Sequence, residues 1–131
     1  MAVIDLDTLS VSANGTLPSV PFLDIKNEVL GKNYILSIAF VSPQIAQALN
    51  IKHRNKDYIP NTLSFALDAK NGEIVLCRSA IRKQYKDFDM DYETYLTFLL
   101  IHSMLHLKGY DHGSTMEKAE ARYLARLAPH Q

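Results

Sequence analysis

Residues 102–112 read His-Ser-Met-Leu-His-Leu-Lys-Gly-Tyr-Asp-His, and this spacing constrains the fold more than any other feature of the chain. His102 and His106 lie inside residues 91–108, where Leu96, Leu99, Leu100 and Ser103 recur at helical spacing. Two imidazoles four residues apart on a helix leave the same face, one turn apart. Gly109 then stops the helix, because glycine adopts the left-handed conformation that closes one. The chain can reverse there and bring His112 back over the first two. Three neutral imidazoles with a fourth position open describe a catalytic zinc site better than a closed structural one. The pattern therefore predicts one zinc ion on His102, His106 and His112. A single histidine on a helix is ordinarily a surface or satisfied core residue. Three of the chain's five within eleven residues, with a glycine turn between them, are harder to explain that way. His53 and His130 have no such surroundings, and His130 reads as tail.

The rest of the chain predicts short elements around this helix. Residues 2–6 read as a strand, followed by a polar stretch through Ser12, Asn14 and Gly15. Residues 18–30 hold a short helix ending at Gly31, and residues 34–41 form an apolar run short enough for a buried strand. Ser42 and Pro43 open a helix to about Lys52, the serine as cap and the proline where its missing N–H does no harm. A polar loop covers 53–60. Strands at 62–67 and 73–77 flank a turn-rich connection, as in a hairpin. Residues 78–86 suggest a short basic helix, and Ser114 with Glu117 forms a capping box for a last helix to about Ala128. With no repeat or linker, the expectation is one α+β domain over residues 1–131. It comprises a small mixed sheet of about four strands packed with helices. The metal site lies on a helix of the C-terminal half and the following turn, a zincin-like arrangement.

Composition narrows the partners. The 131 residues are 47% hydrophobic and 21% charged, a globular balance long enough for a real core, and formal net charge is zero. A generic electrostatic nucleic-acid binder is basic overall, so contact with nucleic acid must come from a local patch. The single cysteine, Cys77, allows no intrachain disulfide and fits a reducing cytoplasm. No apolar run approaches the roughly 18–20 residues that span a bilayer. The first ten residues, with Asp5 and Asp7, lack the basic start of a secretory signal. The expectation is a soluble cytoplasmic protein with no membrane partner.

The histidine spacing equals that of the metzincin proteases, H-E-x-x-H-x-x-G-x-x-H, but Ser103 stands where their glutamate serves as base. Serine does not accept a proton from metal-activated water near neutral pH, so peptide hydrolysis by that route lacks its base.

The run from His102 to His112 closely resembles the YbeY family signature H-G-x-L-H-L-x-G-Y-D-H. A second block resembles that family's L-N-x-x-x-R-x-K-D-x-x-T-N-V-L-S-F. It comprises Leu49, Asn50, Arg54, Lys56, Asp57, Asn61, Leu63, Ser64 and Phe65. Gly72, Glu73 and Ile74 are similar to its G-D-I strand entry. The resemblance implies a single-strand-directed metallo-endoribonuclease that acts in ribosomal RNA maturation, at the 16S 3′ end, and in ribosome quality control. It implies zinc on His102, His106 and His112, a role for Arg54 in cleavage, and a small mixed sheet packed with helices. The chain departs from the pattern at Ser103 for glycine, Pro60 for threonine and Thr62 for valine, and is short near its N-terminus. Pro60 removes a hydroxyl and a backbone donor beside Asn61.

The residues suit this chemistry. Phosphodiester cleavage needs a cation to offset charge on the phosphoryl oxygens. Arg54 offers paired donors in a planar fork that never deprotonates, with Lys52 and Lys56 flanking it. Lys56, Asn61 and Ser64 are the substrate-binding candidates, although an asparagine at a strand entry more often serves its own turn. Arg78, Arg82, Lys83 and Lys86 make a second basic surface, a composition that ordinarily marks a solvated helix face. Asp111 either orients a ligand imidazole or caps the turn. No residue stands out as general base. The expected partners are single-stranded ribosomal RNA and the ribosome or its assembly proteins, not DNA. Two other readings are a zinc metallopeptidase and a non-catalytic ribosome-associated zinc protein. The second requires a fourth protein ligand, and no second cysteine or nearby histidine supplies one.

Overall fold

Five strands form one mixed sheet in the computed structural model, which describes residues 2–129. His130 lies outside the described residues. The strands are β1 (Ala2–Asp5), β2 (Leu9–Ala13), β3 (Ile35–Val41), β4 (Thr62–Asp68) and β5 (Asn71–Cys77), and the spatial order is β1-β2-β3-β5-β4. β3 runs parallel to β2 and β5, while β1–β2 and β4–β5 are antiparallel pairs. The helices are α1 (Phe22–Val29), α2 (Pro43–Arg54), α3 (Arg78–Gln84), α4 (Tyr92–Leu107) and α5 (Ser114–Leu127), with a 3-10 turn at Tyr85–Phe88. None is long and apolar enough to cross a membrane among the described residues.

The α+β class is as expected, but the sheet has five strands rather than about four. The missing strand is β2, within the stretch expected to be polar. Leu9, Val11 and Ala13 are buried while Ser10 and Ser12 alternate with them, a two-residue period concealed by the serines. On the same face, Leu36, Ile38, Ile74 and Leu76 form the core with Ile25 of α1, Leu96 and Leu100 of α4, and Met116 of α5. α2 lies against the sheet near the end of β5, where Ala46, Cys77 and Ala80 make a smaller cluster.

Local chemistry sets the element ends. Ser42 caps α2 by accepting from the Ile45 N–H (3.2 Å), and Asp91 caps α4 by accepting from the Thr94 N–H (2.8 Å). The expected capping box on α5 does not form. Gly113 takes the N-cap position and no side chain caps that end; Ser114 is already the first helical residue. The hairpin turn is tight, with the Asp68 carboxylate accepting from the Lys70 N–H (2.8 Å) and the Asn71 side chain. Lys26 is fully buried under α1. Its ammonium shares three N–H donors among four oxygens, Thr8 Oγ1 (3.0 Å), Asn27 Oδ1 (3.2 Å) and the carbonyls of Gly31 (3.1 Å) and Lys32 (2.9 Å).

Candidate metal centre

α4 runs through the middle of the core, with Tyr95, Leu96, Leu99, Leu100, Ile101, Met104 and Leu105 all buried. That packing fixes its rotation and leaves His102 and His106 half-buried at its rim. After Lys108 the chain turns at Gly109 (φ +101°). The Tyr110 N–H donates to the Leu105 carbonyl (3.0 Å) and the Gly109 N–H to the His106 carbonyl (3.0 Å). These are the two bonds of a Schellman closure, and the reversal delivers His112. Ring centroids lie 4.7 Å apart for His102–His106, 5.3 Å for His102–His112 and 4.6 Å for His106–His112. One ring nitrogen from each histidine falls within 4.8 Å of the others.

The tautomers follow from the hydrogen bonds. His102 presents Nδ1 to the carboxylate of Glu120 on α5, and His106 presents Nδ1 to the Tyr110 carbonyl (3.1 Å). With Nδ1–H donating in both rings, both Nε2 lone pairs are free, and they face each other at 3.2 Å. Two lone pairs held so close repel unless a proton or a metal ion lies between them. A tetrahedral ion with bonds of about 2.0–2.1 Å separates its ligands by roughly 3.3 Å. The donor set therefore fits a metal ion of zinc's size. Burial, then the neighbouring His102, lowers the His106 pKa below its usual 6.5, which favours the neutral, ligating imidazole.

Glu120 escaped the sequence reading. It is 7% exposed and lies beside Met116 and Ala119 on the buried side of α5. A carboxylate among the apolar positions of a helix was the available signal. Asp111 is exposed, and the Nδ1 atoms of His102 and His106 meet the Glu120 carboxylate and the Tyr110 carbonyl.

The histidines open into a groove of about 860 Å³ whose walls include β4, the end of α2 and the start of α5. Arg54, Asn61 and Ser64 line it, but Lys56 does not. Arg54 is oriented by Asn50 Oδ1, which accepts from its Nη1 at 3.3 Å. The buried Asn50 in turn donates to the Tyr58 carbonyl (3.0 Å). The Asn61 amide donates to Gln84 Oε1 (2.9 Å), so this side chain ties β4 to α3. Ser103 is buried, and its hydroxyl bonds Thr62 Oγ1 at 2.9 Å. The serine and threonine that depart from the YbeY pattern thus hold each other. His53, which looked isolated in the sequence, lines the groove with its ring 4.9 Å from that of Phe65. Glu117 brings a further carboxylate to the groove.

A family model described as Endoribonuclease YbeY matches residues 20–128. The chain belongs to the YbeY family. It is 37% identical over 100 residues to the endoribonuclease YbeY of Alkaliphilus oremlandii, covering 69% of this chain and 66% of the relative. It is 32% identical over 107 residues to that of Staphylococcus carnosus, covering 72% and 70%. With the Bdellovibrio bacteriovorus protein it shares 36% over 86 residues, covering 64% and 57%. The chain thus spans between about three-fifths and seven-tenths of the length of these YbeY relatives. A solved structure from Thermotoga maritima superposes with a TM-score of 0.58 at 26% identity, covering 79% of this chain and 73% of that one. The match to the YbeY model takes in α1 through α5, including the three histidines and Arg54.

Proposed function

We propose that residues 1–131 form one metal-dependent endoribonuclease domain that cuts single-stranded regions of ribosomal RNA. Its place is in 16S 3′-end maturation and ribosome quality control in the cytoplasm, with the ribosome or its assembly proteins as partners. One observation carries the reading. The free Nε2 atoms of His102 and His106 converge with His112 in the same groove that Arg54 lines.

A zinc ion bound there supplies Lewis acidity toward a phosphoryl oxygen. Arg54 binds a phosphate through paired guanidinium donors, aimed by its bond to Asn50. Glu120 and the Tyr110 carbonyl hold the ligand tautomers. Ser64 offers a hydroxyl to the substrate from β4, and Lys56, outside the groove lining, offers a cation to the RNA backbone. Asn61 acts by keeping β4 in place against Gln84.

The peptidase reading draws on β4, an edge strand beside the groove that can accept an extended peptide. Against it stands Ser103, whose hydroxyl is engaged by Thr62 in the position of the protease base.

His112→Ala is expected to lose bound metal in elemental analysis. Arg54→Glu is expected to keep the metal and lose cleavage of a defined single-stranded RNA. Zinc-loaded protein that leaves such RNA intact but digests casein in a chelator-sensitive way overturns the proposal.

A further inference from the structure

Resting on the RNA reading, we propose that His53 and Phe65 form a nucleobase-stacking subsite beside the metal centre, which admits only unpaired bases. β4 is the edge of the sheet and pairs with β5 alone. Its side chains alternate, so Thr62, bonded to Ser103 of α4, and Ser64 face one way while Leu63 and Phe65 face the other. Both Ser64 and Phe65 nevertheless line the same groove. The groove therefore passes over the free edge of β4, from the histidines to the last turn of α2.

At that far end His53 and Phe65 meet at 4.9 Å between centroids with their planes 58° apart. Rings tilted this far do not cover each other's faces. Phe65 is half-buried and His53 exposed, so aromatic surface remains open to a flat ligand. Arg54, adjacent in sequence to His53, lines the same groove. A phosphate binder next to an uncovered ring pair matches the two parts of one nucleotide. Every base has a π-face, so such a platform accepts any base, but a base within a duplex has both faces covered by its neighbours. Single-strand selection without sequence preference then follows from stacking.

The chain has no tryptophan, so Phe65→Trp introduces a lone indole as a reporter. Zinc-loaded Phe65→Trp protein is titrated with a single-stranded 2′-O-methyl oligonucleotide, an abasic strand of equal length, and a duplex. Quenching by the first alone is expected; equal quenching by the abasic strand, or none by any, overturns the subsite. In parallel, His53→Ala and Phe65→Leu should lower kcat/KM on single-stranded RNA about ten-fold with zinc content and circular dichroism unchanged, and Phe65→Tyr should restore the rate. Wild type cutting RNA with Phe65→Leu equally efficient also overturns it. Base-dependent quenching without RNA cleavage by wild type supports the subsite and overturns the catalytic reading instead.

Discussion

Glu120 meets His102 at Nδ1, and in doing so leaves Nε2 as the ring nitrogen open to a metal ion. Its carboxylate fixes the tautomer and the ring plane of the ligand. Glu120→Ala should therefore weaken zinc affinity about 10- to 100-fold, read by competition with a chromophoric chelator, while the far-ultraviolet dichroism stays unchanged. The Thr62–Ser103 bond sets a different test. Removing either hydroxyl leaves the other without its partner, whereas removing both leaves no orphan. Thr62→Val and Ser103→Ala should each destabilise, and the double variant should recover about 1 kcal/mol relative to their sum in urea unfolding. His106 gives a pH dependence with a definite sign. Its folded-state pKa lies below 6.5, so as pH falls the unfolded chain takes up the proton first. The chelated protein keeps this contribution above pH 6.5 and loses it as pH falls through the depressed value. A urea midpoint that falls less steeply with acidification in His106→Asn than in wild type would show it. The histidines were legible from spacing alone. Glu120 was not, because its partner is eighteen residues away on a separate helix whose packing angle no local pattern specifies.

Elements were legible where one signal dominated. α2 carries a serine cap and a proline at its first position, α4 an aspartate cap and a glycine stop, and each begins and ends within about two residues of expectation. β2 was missed because its outward positions are serines, which read as loop when averaged over a window. Its identity comes from pairing with β3, a contact between residues far apart in the chain. The start of α5 was read one residue late for a related reason. Gly113 precedes the helix at φ +150° and takes the cap position, which moves the first helical residue to Ser114. Lys26 belongs to this scale as well. Its ammonium gathers the two carbonyls that follow α1 and ties them to Thr8 at the entrance to β2. Lys26→Met keeps the aliphatic length but removes the donor from those part-buried acceptors, and should cost about 1–3 kcal/mol. Chemical denaturation measures the loss, which should leave zinc stoichiometry unaltered because α1 contributes no ligand.

The whole molecule carries no net charge, so an RNA substrate must be held by the groove rather than drawn by a general field. Binding should consequently fall only gently with added salt, with a slope set by the few phosphates that Arg54 and its neighbours meet. Metal removal tests how the site is tied into the fold. A ligand that binds only the folded state at a hundred times its dissociation constant stabilises by about 2.7 kcal/mol. Chelation should lower the melting temperature, but by less than that figure implies. The reason lies in the closeness of the ligands along the chain. All three imidazoles come from a single eleven-residue stretch, so a disordered chain still carries the complete donor set and competes with the native protein for the ion. A growing polypeptide acquires that set as soon as His112 has been added, before any of α5 exists. An ion that fits the site would thus meet a loose chelate during synthesis, and Glu120, added later, would fix the His102 ring in its ligating orientation.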